Sequence, residues 1–381
     1  MRDRGGDVVV IGAGLIGLSI AFELAERGAV VRLYDHAEPG HGASWAGAGM
    51  LAPHTERIND PALLALCASS LDLYPEFVRR VTAQSGVDPQ LRLDGVFYAA
   101  FDLAGLDALE RHARALRARH VECDIFDRPS SLAAAPWLGS SVTGGVLLLG
   151  EGQVDNRRLG RALTVACESK GVRVERATAI AVECDARRVL GVRTGQGFAA
   201  ARAIVNACGA WAGSLDGVPE SCVPPVEPVK GQMLALGVPR GFVRRATWVP
   251  GAYLVPREDG RLLVGATVET TGFDARITAN GIHELLHAAL AAAPSLAEFA
   301  VTETWAGLRP GTPDGLPFLG ATPVDGFFLA TGHYRNGILL APVTARLIAE
   351  AIETGTSAGL EPFSLGRLGT EEAPAGRMTR A

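Results

Sequence analysis

Near the amino terminus the apolar positions change period. Val8, Val9, Val10 and Ile11 are β-branched and unbroken, as in a central parallel strand buried on both faces. Leu15, Leu18, Ala21, Phe22 and Ala25 then recur at helical spacing, and after Gly28 the residues Val30, Val31 and Leu33 form a second strand ending at Asp35. A second helix is predicted over Asn156 to Lys170, stopped by Gly171, with a strand beginning at Val172. Alternation continues through Ile180–Val182 and Val189–Arg193, and Ala201 to Leu215 reads as a buried strand running into a small-residue turn.

Between these pieces the pattern differs. Gln84 to Gly150 mixes an amphipathic helix, Leu103 to Arg119, with short strands. Asp216 to Arg309 holds strands at Gly231–Leu236, Ala252–Pro256, Arg261–Thr267 and Val301–Gly307, an alternation that predicts an antiparallel sheet. Near the carboxyl end, a strand over Thr302–Leu308 delivers Arg309 into Pro310–Gly315, a loop too rich in turn residues to continue the sheet. A further strand, Phe327–Thr331, leads through the turn Gly332–Gly337 into a helix starting near Ile338. The expected fold is α/β. A Rossmann-like domain over 1–83, 151–215 and 310–368 is interleaved with an α+β antiparallel-sheet substrate domain over 84–150 and 216–309, and 369–381 forms a flexible tail.

Composition narrows the function classes. A chain of 381 residues with 48% hydrophobic content buries a large core, and its 46 glycines and 22 prolines, without a triplet period, imply many tight turns. The net charge is -5 and the basic residues are scattered, which argues against nucleic acid as a partner. The apolar run Val8–Phe22 follows Arg2 and Arg4 as in a secretion signal, but it is too short to span a bilayer. Glu23, Glu26 and Arg27 come next without a small-residue cleavage site, so neither membrane nor export is expected. Six widely spaced cysteines, with no C-x-x-C pair, read as reduced thiols in a cytoplasmic protein without a zinc site.

The turn between the first strand and helix is Gly12-Ala13-Gly14-Leu15-Ile16-Gly17. Gly12 permits a tight turn, Gly14 lets a pyrophosphate approach the backbone, and Gly17 allows close helix-to-strand packing at a helix N-terminus. Asp35 is placed to accept both ribose hydroxyls, which argues against a 2'-phosphate. This unit predicts a dinucleotide and leaves NAD and FAD open. Gly40, Gly42, Gly47 and Gly49, with small residues between them, allow backbone amides close to a planar ring and a pyrophosphate. Arg309 suits a bidentate grip on a carboxylate. Amides in the turn before the last helix suit the ring end where negative charge develops on reduction.

These segments (GHGASWAGAGMLAPHTE, TWAGLRPGTPDGLPFLG and GHYRNGILLAP) resemble the glycine oxidases, the branch of the FAD-dependent D-amino-acid oxidase family associated with thiamine biosynthesis. The resemblance runs from Val8 to about Ile352. It implies FAD, held through Gly12, Gly14, Leu15, Ile16 and Gly17, then Asp35 and His36. It extends the cofactor site to Ala43, Ser44, Gly47, Ala48, Gly49 and Met50, with Ile180 near the adenine and Gly209 and Trp211 delivered by a second strand edge. Gly332, His333, Tyr334, Arg335, Asn336, Gly337 and Ile338 would surround the flavin ring. It also implies that Arg309 binds the substrate carboxylate, that Arg335 lies in the same pocket, and that Tyr253 covers the substrate. The partners implied are a small amino acid and dioxygen. A homo-oligomer is left open.

Two positions depart from the bacterial pattern. Gly251 stands where a histidine is usual and Val268 where a methionine is usual, so the choice among glycine, sarcosine and small D-amino acids stays open. The related monomeric sarcosine oxidase tethers its flavin through a late cysteine, whereas no cysteine here lies beyond Cys222, so noncovalent FAD is expected. A dehydrogenase feeding a quinone or carrier, and a noncatalytic flavin scaffold, are the alternatives. Lys230 is open between a water-mediated approach to the flavin and an ordinary ion pair. His333 is not expected to act as a base.

Overall fold

The computed structural model describes residues 7–177, 180–185 and 187–368. The tail from 369 lies outside them. A six-stranded sheet runs in the order Phe318–Ala321, Phe327–Thr331, Ala203–Asn206, Val8–Ile11, Val31–Asp35, Arg173–Arg176. All its neighbours are parallel except the Phe318–Ala321 edge. Val8 to Ile11 are no more than 2% exposed, which explains the unbroken β-branched run: both faces of this strand are covered. On one face lie the helices Leu15–Glu26, Asn156–Ser169 and Ala341–Thr354, whose apolar sides share one core with the sheet. Because Val8–Ile11 pairs with Val31–Asp35 on one side and Ala203–Asn206 on the other, the chain leaves its carboxyl end in opposite directions and opens a crevice there.

The second sheet has eight strands in the order Val301–Gly311, Glu227–Gly237, Arg261–Gly265, Ala252–Pro256, Thr247–Val249, Val96–Ala100, Gly144–Leu148, Cys123–Asp127. It is antiparallel apart from one parallel pairing, Thr247–Val249 against Val96–Ala100, where the two chain segments that build it meet. The helix Ala279–Ala292 packs on it. A smaller sheet joins Ile180–Cys184, Val189–Thr194 and Gly197–Ala200.

Several elements differ from the sequence-based expectation, among them the helix Ala279–Ala292, which falls where only strands are expected. The strand carrying Arg309 does not stop at Leu308 but continues to Gly311, so Arg309 lies within it. Pro310 is tolerated because this is the edge strand and Pro310 faces Pro228, so neither ring removes a donor that a neighbour needs. The last helix begins at Ala341 rather than Ile338, because Leu340 N–H donates to Asn336 O (2.8 Å) and Ala341 N–H to Ile338 O (3.2 Å) in turns that delay it. The longest helix, Pro61–Ser85, is absent from the expectation. Pro75 interrupts its pattern, while Asp60 caps it through Leu63 N–H (2.8 Å) and Pro61 opens it. No helix among the described residues is long and apolar enough to cross a membrane.

Candidate active site

A cavity of about 650 Å³ runs from the crevice of the six-stranded sheet to the face of the eight-stranded sheet. Its first end is built by the opening glycine turn. Gly12 has φ 106°, and a Cβ there would stand 2.3 Å from the carbonyl oxygen of Ala207, just past the end of the neighbouring strand Ala203–Asn206, so no side chain fits. Ser44 Oγ accepts from Leu15 N–H (2.8 Å), while the amides of Gly14 and Ile16, both at the cavity, have no intramolecular partner among the described residues. Such free donors at a helix start suit an anion. The Asp35 carboxylate accepts from Ala13 N–H (2.6 Å) and Ala37 N–H (2.8 Å). Two backbone bonds fix its plane and leave acceptor capacity for a vicinal diol. His36 and Trp211 stand at the mouth, where Trp211 packs against Phe273 at 5.5 Å between centroids.

The middle of the cavity is the segment from Ala43 to Met50, a short helix (Ala43–Ala46) and a two-residue strand (Met50–Leu51). Side chains from elsewhere hold its carbonyls. Asn156 Nδ2 donates to Ser44 O (2.7 Å) and Trp45 O (3.0 Å), Trp305 Nε1 to Ala46 O (2.9 Å), and buried Arg257 Nη2 to Ala48 O (2.8 Å). Arg257 also binds Gln153 and Asn156, and burial lowers its pKa to about 10. Sequence patterning singles out none of these anchors.

At the far end Tyr253, Arg309 and Arg335 line the same cavity. The Arg309 guanidinium lies against Gly231, where a Cβ would come within 2.3 Å of Nη2, so the glycine makes the space it occupies. Its Nη1 donates to Thr267 O (3.1 Å) and Lys230 O (3.3 Å), and the guanidinium also interacts with the Tyr253 hydroxyl. Burial raises the Tyr253 pKa while Arg309 and Arg335 oppose that shift, so the phenol stays protonated within reach of both cations. Sequence patterning gives no sign of Glu56, yet its Oε2 lies 3.2 Å from Arg335 Nε and both line the cavity. Glu56 is the main cause of the raised Arg335 pKa. The guanidinium also sits 5.8 Å from the Trp248 ring centroid.

The turn that carries Glu56 is anchored by Glu151, which is 1% exposed. Its carboxylate accepts from the amides of His54 (2.6 Å) and Thr55 (3.2 Å) and from the Thr55 hydroxyl. Burial lifts its pKa to about 7.

Of the residues expected at the cofactor, Leu15, Gly17 and Gly332 do not reach the cavity. Leu15 is a core side chain; Gly17 packs against Gly12, its virtual Cβ only 1.8 Å from that carbonyl; Gly332 backs onto Thr312. The others line it, Ile180 and Gly209 included. His333 is buried against Thr344, Nε2 to Oγ1 3.1 Å, and desolvation drops its pKa to about 3, so it remains neutral. The two readings of Lys230 resolve to the ion pair: its side chain is buried and Nζ lies 2.8 Å from Glu269 Oε2. The thiol at the cavity, Cys208, is pushed up to about 12 by burial and donates to Ile11 O (3.4 Å), at the Asp35 end.

A dinucleotide groove at a parallel-sheet switch point, opening onto a cationic chamber over an antiparallel sheet, defines a two-part redox site. The chain belongs to the FAD dependent oxidoreductase family, whose model matches residues 7–351. Among its relatives, the glycine oxidase of Pseudomonas aeruginosa is 36% identical over 97% of this chain and 99% of its own. The bifunctional protein ThiO/ThiG of Synechocystis is 40% identical over 91% of this chain, which spans 51% of that protein. The crystal structure of glycine oxidase from Geobacillus kaustophilus superposes with TM-score 0.88 at 34% identity, over 95% of this chain and 99% of that one.

Proposed function

We propose that the protein oxidises glycine, or a comparably small amine-bearing acid, with FAD in the groove and dioxygen as acceptor. The observation that carries this reading is the Arg309 fork, held over Gly231 beside the protonated Tyr253 at the end of a glycine-lined dinucleotide groove. Bound there, FAD supplies a two-electron acceptor for the hydride at the substrate's Cα. Arg309 fixes the carboxylate, and the Tyr253 ring covers the substrate. His333, neutral and held by Thr344, contributes packing rather than proton transfer. A substrate bound with its amine neutral needs no protein base. Loss of two electrons and two protons gives the imine, which water converts to the oxo acid and ammonia, while dioxygen becomes hydrogen peroxide. Similarity to both the glycine oxidases and the bifunctional ThiO/ThiG protein supports a role in supplying glycine imine for the thiazole of thiamine.

The test is an aerobic peroxide assay of the holoenzyme with glycine, sarcosine, D-alanine and D-proline, paired with anaerobic flavin bleaching. Bleaching with peroxide release supports the oxidase. Bleaching without peroxide would make it a dehydrogenase, and neither would leave a flavin-binding scaffold.

A further inference from the structure

Two cations and one anion meet in the substrate chamber. Arg309, Arg335 and Glu56 line the same cavity as Tyr253, and their charges sum to a single positive charge. Glu56 engages Arg335 at 3.2 Å, and their side chains are only 12% and 27% exposed, so solvent screens this charge little.

From this arrangement we infer that Glu56 is a specificity-determining residue that restricts the chamber to monocarboxylates by occupying Arg335. The inference rests on the amino-acid reading of the site and narrows its substrate class. A first carboxylate meets Arg309, which has no carboxylate partner among the described residues. A second one, on a ligand such as malonate or an amine bearing two carboxymethyl groups, has Arg335 as its remaining cation and must approach it alongside Glu56. In a water-poor chamber that like-charge approach costs more than the cation returns.

The backbone that carries Glu56 is well anchored. The Glu56 N–H donates to Ala52 O (3.0 Å), and the two preceding amides are bound by buried Glu151. Arg335 is held from its other side by the Trp248 ring.

The experiment measures binding of glycolate, a monocarboxylate that lacks the amine, and of malonate to the FAD-loaded protein by calorimetry. Wild type, Glu56→Gln, Arg335→Gln and the double variant are compared, each checked for bound FAD and its melting curve. Wild type should prefer glycolate. Glu56→Gln should shift the malonate-to-glycolate ratio of Kd values towards malonate by about tenfold or more, as expected for a freed cation near the ligand. Arg335→Gln should weaken both acids, because Glu56 then stands unopposed. The double variant restores the net charge, so it should recover glycolate binding without gaining malonate, a rescue that a merely structural role would not produce.

An unshifted ratio in Glu56→Gln, or no rescue in the double variant, overturns the inference. If wild type binds neither acid and yields no peroxide from glycine, the amino-acid reading itself fails and takes the inference with it. If wild type does both while the ratio stays fixed, only the role of Glu56 falls.

Discussion

Gly231 and Glu151 show how single positions set the site from outside the ligand's reach. Gly231 has no strained backbone; its importance is the space above it, filled by the Arg309 guanidinium. Gly231→Ala should therefore fold and bind FAD, since the atoms in its way are the far end of a flexible side chain. Displacing the fork should raise the glycine KM by about tenfold or more, in keeping with the loss of a well-placed charged hydrogen bond. Steady-state kinetics would check this, and an unchanged KM would remove Arg309 from the carboxylate grip. Glu151 makes a pH prediction. Its folded pKa of about 7 lies above the ordinary 4.5, so the folded state binds its proton more tightly. The cost of burying the ionised form is fully present above pH 7 and fades as pH falls towards 4.5. Glu151→Gln removes that cost, and its stability advantage over wild type should shrink by about 2 kcal/mol between pH 8 and pH 5. Urea unfolding at the two pH values decides it; equal offsets would mean that Glu151 ionises as freely as in water.

Elements position these residues through edges and anchors. The strand Val301–Gly311 reaches past Pro310 only because it is a sheet edge, and there Pro310 O accepts from Tyr334 N–H (3.0 Å). That bond ties the strand of Arg309 to the turn of Arg335, two elements that belong to different sheets. The segment 266–278, which brings Thr267 O to Arg309, is fastened in turn by Lys230. Lys230 Nζ pairs with Glu269 (2.8 Å) and donates to Arg276 O (3.2 Å). Lys230→Met leaves Glu269 without its cation, and should cost about 2–3 kcal/mol and speed tryptic cleavage after Arg276. Limited proteolysis followed by mass mapping would show it; cleavage at the wild-type rate would mean that other contacts pin the segment.

At the scale of the molecule, cofactor and fold support one another. The groove is lined by both sheets, so FAD held there would bridge them and add stability that grows with the logarithm of its excess over Kd, about 2.7 kcal/mol at a hundredfold excess. In a chain of this size, with an unfolding entropy of about 2.1 cal/mol/K per residue, stripping the flavin should lower Tm by about 3 °C. Acid precipitation should release all of it, because the thiol at the cavity, Cys208, is held protonated at the Asp35 end. Yellow colour retained in the pellet would contradict a noncovalent cofactor.

What the sequence determined by itself is local. The run Val8–Ile11, the glycines that follow and the acid at Asp35 lie within one short unit, so spacing alone revealed strand, turn, helix and dinucleotide end. The resemblance to the glycine oxidases likewise marked Tyr253, Arg309 and Arg335, which line one cavity. What the sequence did not reveal depends on neighbours remote in the chain. Glu56 opposite Arg335, Gly231 beneath Arg309, and Arg257 and Trp305 on the carbonyls of the Ala43–Met50 segment carry no signature of their own. The edge position of Val301–Gly311 overrode the turn chemistry of Pro310 and Gly311 in the same way. Local propensity records how each residue biases its own backbone, whereas the charge and shape of the chamber arise from side chains that meet only when two sheets close on one cavity.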